Sequence, residues 1–373
     1  MTNHIKSTLI ALLMIILSFS INGCSKKDKQ LPKELQPRII VGENFLEKRK
    51  FIASEIGVVT DIKELNMNSS SNSLIGISGR DGAMFVDKDG QIKKSIKFLK
   101  TKDWNSNFEI IYSKHDNSCY FFGLPAPGAF YYGLLNQDGK EVWKKSDENV
   151  RGATYGDINK DGEIEFLISS DNKIDVLNLL GNRLFEIKGY SSNVIGFDDT
   201  ENNEKTKILI QPGRKLIVLN DAGVQIYSTE LPLGGTIYDP SFVRYPNAHG
   251  KQHLLFYENT GKFVLISPDG KKRVVEFEGN YLGNIKATAV HFDSEQPPYF
   301  AISGLIFYQG EKWFGLEAVI TVLYIFNSQH KLVYHEILDG RGEAIAAISS
   351  GKVNEEILLV GGSGNVSKYV LKR

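Results

Sequence analysis

Lys215-Leu216-Ile217-Val218-Leu219-Asn220-Asp221-Ala222-Gly223-Val224-Gln225-Ile226-Tyr227 decides the fold. The stretch opens on an apolar run suited to a strand and ends on a second run with alternating apolar positions. Between the two, Asn220, Asp221 and Gly223 supply the left-handed backbone that a tight hairpin needs. The arrangement recurs at Val86-Asp87-Lys88-Asp89-Gly90, Leu135-Asn136-Gln137-Asp138-Gly139, Leu177-Asn178-Leu179-Leu180-Gly181 and Ile266-Ser267-Pro268-Asp269-Gly270. Phe326-Asn327-Ser328-Gln329-His330 repeats it without the glycine. An earlier apolar run recurs in the same rhythm, as in Leu74-Ile75-Gly76-Ile77, Phe166-Leu167-Ile168, Ile208-Leu209-Ile210, Leu254-Leu255-Phe256, Phe300-Ala301-Ile302 and Ile357-Leu358-Leu359-Val360.

The turns fall about 40 to 50 residues apart, the blade period of a β-propeller. The expected fold is therefore all-β: a β-propeller over residues 38–373, with seven four-stranded blades as the preferred count. Six or eight blades also fit, because the first unit is indistinct between Ile52 and Ser73. The last unit, from Ala344 to Leu371, ends one strand short, and Arg38-Ile39-Ile40-Val41 is expected to supply the missing strand and close the ring. No helical apolar stripe runs through this region, which disfavours barrel and Rossmann folds; a pair of β-sandwiches leaves the period unexplained. Cys119, beside Tyr120 and Phe121, reads as a core thiol.

The 44 basic and 44 acidic residues create no global field for nucleic acid, so none is expected as a partner. The first residues are more telling. Lys6 precedes an apolar run from Leu9 to Phe19, followed by Ile21-Asn22-Gly23-Cys24. The run is too short to span a bilayer and has the anatomy of a secretory signal. Its end resembles the lipobox of bacterial lipoproteins. The resemblance implies a cleaved signal peptide over 1–23, an acylated and palmitate-bearing Cys24, and a flexible tether over 24–37 containing Lys26, Lys27 and Lys29. It also implies a lipid-anchored place in the cell envelope: the outer membrane if the cell is Gram-negative, as Ser25 suggests, and otherwise the outer face of the cytoplasmic membrane. An uncleaved anchor helix is the alternative, and it too puts the remainder outside the cytoplasm.

The sharpest internal motif is Asp157-Ile158-Asn159-Lys160-Asp161-Gly162-Glu163-Ile164-Glu165. Oxygen-bearing side chains at alternate positions, with glycine at the sharp bend, can wrap one hard cation. The motif resembles the loop of FG-GAP/VCBS (integrin-α-type) propeller repeats. That likeness implies structural Ca²⁺ held by Asp157, Asn159, Asp161 and Glu165 side chains and the Glu163 carbonyl. An ion-free Asx turn is the alternative. Gly139-Lys140-Glu141-Val142-Trp143 resembles the ending of PQQ-like, BamB-like propeller repeats, but Trp143 reads as packing between blades, so no PQQ is expected.

Seven scattered histidines, with no H-E-x-x-H, C-x-x-C or G-x-S-x-G, disfavour an enzyme and leave that role open. His249 and His253 read as solvated loop residues. Two insertions stand out: Gly123 to Ala129, and Ile306 to Leu316 with Phe307, Tyr308, Trp313 and Phe314. Exposed Trp and Tyr mark binding surfaces, with fold-back over the blade as the bland alternative. The expected function is a noncatalytic, membrane-tethered binding module whose partner is an envelope protein or extracellular polymer. The rival is a lipid-anchored hydrolase or lyase acting on extracellular glycans, which an acidic and aromatic funnel would favour.

Overall fold

The computed structural model describes residues 36–65, 73–99, 107–113, 115–124, 131–190, 195–198, 206–212, 215–230, 243–246, 252–258, 262–266, 272–276, 283–307, 319–338 and 344–372. Two strands come first, β1 (Arg38–Val41) and β2 (Leu46–Ile52). The first sheet follows with β3 (Val59–Leu65), β4 (Leu74–Gly79), β5 (Gly82–Val86) and β6 (Ile92–Lys97), and the second with β7 (Asn107–Ser113), β8 (Ser118–Leu124), β9 (Tyr131–Leu135) and β10 (Glu141–Ser146). The third holds β11 (Gly152–Gly156), β12 (Glu165–Ser170), β13 (Lys173–Leu177) and β14 (Arg183–Lys188), and the fourth β15 (Ile195–Asp198), β16 (Lys207–Ile210), β17 (Lys215–Leu219) and β18 (Gln225–Glu230). The fifth contains β19 (Val243–Pro246), β20 (Gln252–Glu258), β21 (Lys262–Ile266) and β22 (Lys272–Glu276), and the sixth β23 (Gly283–Val290), β24 (Tyr299–Phe307), β25 (Val319–Phe326) and β26 (Leu332–Ile337). β27 (Ile345–Ser349), β28 (Glu356–Gly361) and β29 (Asn365–Leu371) begin the seventh.

Every sheet is an antiparallel meander, and the first strands of successive sheets touch: β3 with β7, β11 with β15, β19 with β23, β23 with β27, and β27 with β3. The last contact brings the end of the chain back to its beginning. Apolar runs without alternation are explained by burial on both faces. In β28, Ile357 and Leu359 face the first sheet, whereas Leu358 and Val360 face the sixth. In β8, Phe121 faces the first sheet and Phe122 the third. Cys119 is buried in the seam between the first and second sheets, as its apolar neighbours predict, and burial pushes its thiol up to about 11.

The hairpin turns do two things. The Asn220 side chain accepts the N–H groups of Ala222 (3.1 Å) and Val224 (2.8 Å), and Asn136, Asn178 and Asn327 repeat that pattern. Four of the turns also meet the fourth strand of the preceding sheet. Phe51 lies against Gly90, Ile96 against Gly139, Trp143 against Gly181 and Ile187 against Gly223.

Ring closure differs from the expectation. Arg38–Val41 does not complete the last sheet; β1 adds a fifth strand to the edge of β26 in the sixth, with Arg38 opposite Ile337. The closing strand is β2, paired with β29 from Leu46–Leu371 to Ile52–Asn365. Burial explains the choice. Leu46 inserts beside Tyr369 in the seam between the sixth and seventh sheets, whereas every residue of β1 is exposed. His253 is also reassigned: it lies in β20 opposite Tyr245, not in a loop.

Opposite Val41, the His335 ring stacks on Tyr324 at 4.2 Å, and its Nε2 is buried without a partner. Burial, aided by Arg38, pulls its pKa from 6.5 down to about 4. A neutral ring favoured by the fold contributes stability that is complete above about pH 6.5 and is lost as pH falls toward 4. Melting curves should therefore fall more steeply between pH 6.5 and 4 for the native protein than for His335→Phe.

Candidate functional site

The Asp157–Glu165 loop joins β11 to β12, the first and second strands of the third sheet. Lys160 (φ 61°) and Gly162 (φ 91°) bend it through the left-handed region. A Cβ at Gly162 would meet nothing within 4 Å, so glycine is needed there for backbone freedom and not for space. The bend folds the oxygens over their own backbone. Asp157 Oδ2 accepts Gly162 N–H (3.0 Å), Asn159 Oδ1 accepts Asp161 N–H (3.0 Å), and Asp161 Oδ1 accepts Glu163 N–H (2.8 Å).

Glu165 is buried at the start of β12 and accepts Ile158 N–H at 2.9 Å. Burial pushes its carboxyl up to about 7; the Ile158 bond opposes this, and Asp161, Asp157 and Glu163 add repulsion. Ile158 inserts into the core between the third and fourth sheets, and Thr206 donates to the Asp157 carbonyl at 2.9 Å. The loop thus ties one sheet to the next. Asp157 Oδ1 is buried with no hydrogen-bond partner. Among the described residues, no three His, Cys, Asp or Glu side chains converge as a metal centre.

A second polar constellation lines the first strands, where sequence reasoning placed nothing. Asp61 on β3 accepts Ile62 N–H (2.9 Å) and Ile110 N–H (2.8 Å). Lys63 donates to the Ile110 carbonyl at 2.8 Å and to the Tyr155 hydroxyl, and Tyr155 donates to the same carbonyl at 3.0 Å. The Ile110 peptide on the open edge of β7 is thereby capped on both sides by neighbouring sheets. Lys286 on β23 pairs with Glu109 on β7 at 3.5 Å, linking the sixth sheet to the second. Burial raises the Asp61 carboxyl against the pull of Lys63, and raises the Tyr155 hydroxyl further. The available signal was the polar pair Asp61-x-Lys63 at strand spacing, inside the indistinct first unit.

Phe307 ends β24, where its backbone pairs with Val319. Tyr308, Trp313 and Phe314 lie outside the described residues, as do Cys24 and the rest of the signal and tether segments. Trp143 fills the seam between the second and third sheets with Phe122, Tyr132 and Phe166, and its Nε1 donates to the Leu179 carbonyl at 2.9 Å.

No protein-family model matches the chain, and no curated protein matches it either. Solved structures do. BBS1N in complex with ARL6DN is similar with a TM-score of 0.60 and 12% identity, over 89% of this chain and 98% of that one. Virginiamycin B lyase from Staphylococcus aureus is similar with a TM-score of 0.57 and 11% identity, over 87% of this chain and 99% of that one. The WD40 β-propeller domain of Doa1 gives 0.56 and 12%, over 88% and 97%. At such identities the likeness is one of fold: the chain is a β-propeller.

Proposed function

We propose that this chain is a lipid-anchored, seven-bladed β-propeller that acts as a noncatalytic binding module at the cell envelope. The observation that carries the binding role is the use of the inner carboxylates. Asp61 holds the N–H of Ile110, Glu64 that of Ser349, Glu356 that of His291, and Glu109 the ammonium of Lys286. Carboxylates committed to joining sheets serve rigidity, and a rigid ring presents its loops to a partner. BBS1N, one of the proteins sharing the fold, was solved in a complex with another protein.

Partner recognition falls to the end of β24 and the insertion that follows it, with Phe307, Tyr308, Trp313 and Phe314 as the aromatic anchors and an envelope protein or extracellular polymer as the partner. Capture from crosslinked envelopes tests this. The double variant Trp313→Ala, Phe314→Ala is expected to lose the partners that the native chain retains; an unchanged capture profile removes the insertion from the account. One observation favours the rival glycan hydrolase or lyase: Asp61, Glu109 and Tyr155 form an acidic and aromatic lining, and a lyase shares the fold. Turnover of an extracellular glycan that Glu109→Gln abolishes would establish that rival.

The Asp157–Glu165 loop fits a calcium ion. The donor set is oxygen alone, Asp157 Oδ1 lacks a partner, and the buried Glu165 feels repulsion from Asp161, Asp157 and Glu163 that a cation would offset. Asp157, Asn159, Asp161 and Glu165 side chains with the Glu163 carbonyl would hold it, and the ion would supply charge neutralisation at the seam of the third and fourth sheets. Calcium is expected to raise the melting temperature, and Asp157→Ala or Asp161→Ala to abolish the increment. Equal melting in calcium and in chelator would remove the ion.

A further inference from the structure

We propose that the outer edge of β18 pairs with the same edge of a second copy of this chain, joining two propellers through one continuous sheet. Seven strands end the four-stranded meanders on their outer side: β2, β6, β10, β14, β18, β22 and β26. β2, β6, β10, β14 and β22 each carry two or three Lys or Arg. β18 and β26 carry none. Lysine on an edge strand discourages the addition of a further strand, so these two are the unguarded edges. One of them is already covered, since β26 takes β1 as a fifth strand. β1 is itself a poor edge, with four residues, a register shift between Ile39 and Val41, and Pro37 and Arg38 at its start. Among the described residues no strand covers β18.

The surface around β18 is apolar as well. Val224 is 62% exposed, Ile226 51% and Tyr227 37%. Leu184 and Phe185 are exposed on β14, and Gly223 of the turn before β18 lies on Ile187 of that strand, so the two outer strands adjoin. Single exposed apolar residues are ordinary; a group of them beside an unpaired edge marks an interface.

Charge selects the occupant. From Tyr227 to Glu230 the strand keeps a regular register with β17. Two copies laid antiparallel about a twofold axis at Ser228 set Tyr227 opposite Thr229 of the other copy, on one side of the sheet, and Glu230 opposite Ile226. No charge meets its like. At the equivalent place on β2, β6, β10 and β14 the same axis sets Lys48 against Lys48, Lys93 against Lys97, Lys144 against Lys144 and Glu186 against Glu186, which disfavours pairing. A twofold contact uses the same patch on both copies and closes on itself as a dimer. It depends neither on a lipid at Cys24 nor on the insertion after β24.

Disulfide trapping of the full chain in intact cells tests the pairing. Ser228→Cys puts a thiol at the axis, where facing Cβ atoms lie about 5 Å apart and a small adjustment allows a disulfide. Oxidation should yield a covalent dimer of this variant. The native chain, with Cys24 and Cys119, and Ser95→Cys, at the equivalent place on the guarded β6, should each give no more than about a tenth as much. Ser228→Lys supplies the residue that Lys144 provides on β10, so the sheet accommodates it, and it sets two ammonium groups across the axis. Sedimentation of the full chain in detergent should show a dimer for the native protein and association weakened about fivefold or more in Ser228→Lys, with unchanged melting. Equal trapping of Ser95→Cys, trapping of Ser228→Cys to a different protein alone, a monomeric native chain, or a dimer undiminished in Ser228→Lys would each overturn the proposal.

Discussion

Replacing Glu336 with alanine should destabilise the protein by about 3 kcal/mol or more, because it leaves a half-buried cation and two buried hydroxyls without their shared partner. Glu336 sits on β26, and its Oε2 accepts the hydroxyls of Tyr334 (2.7 Å) and Tyr369 (2.9 Å). Its Oε1 pairs with Lys48 of the closing strand β2. Sixth sheet, seventh sheet and the returning N-terminal strand therefore meet at one carboxylate. Burial and this carboxylate drive both tyrosine pKa values well above the usual range, so the phenols remain donors. Glu336→Gln keeps one acceptor oxygen for the phenols while giving up the charge and the second acceptor, and it should still cost distinctly less than alanine. Urea unfolding of the two variants checks the order; equal midpoints would mean that the latch does not hold the ring.

Trp143→Ala should cost about 3 to 5 kcal/mol, the range for emptying a large aromatic site in a packed seam. The indole packs edge-on to Phe166 at 5.4 Å and to Tyr132 at 6.3 Å, and it covers the next sheet's turn. A Cβ on Gly181 would fall 2.8 Å from the indole ring, at a backbone φ of 76°. Gly181→Ala should therefore be costly beside Trp143 and cheaper once Trp143→Ala has opened the space, leaving only the left-handed strain of about 1 kcal/mol. Additive effects in that double-mutant cycle would show that the turn and the indole do not act on one another.

The parts of the fold that were readable beforehand rest on local chemistry. Asn220 caps its own turn through N–H groups two and four residues away, and Asn136, Asn178 and Asn327 do the same, so the sheet rhythm is written in consecutive residues. Closure was not readable in that way. Arg38–Val41 and Leu46–Ile52 are both short segments, and the latter interrupts its apolar positions with Lys48, Arg49 and Lys50; only contacts with Glu336, Gly90 and β29 select it. The same distance hides the inner lining, where Asp61, Ile110 and Tyr155 lie far apart in sequence and meet in space. For the Asp157–Glu165 loop, donor types and spacing were legible. Its attachment to the neighbouring sheet through Ile158 and Thr206 was not, since neither residue bears a ligand signature.

Intact mass of the mature N-terminal peptide tests most directly the proposal that the ring of sheets is held to a membrane through Cys24. The predicted result is a chain beginning at Cys24 with the mass of its acyl groups, lost in Cys24→Ala. A mature chain that begins elsewhere, or at Cys24 with an unmodified thiol, would contradict it.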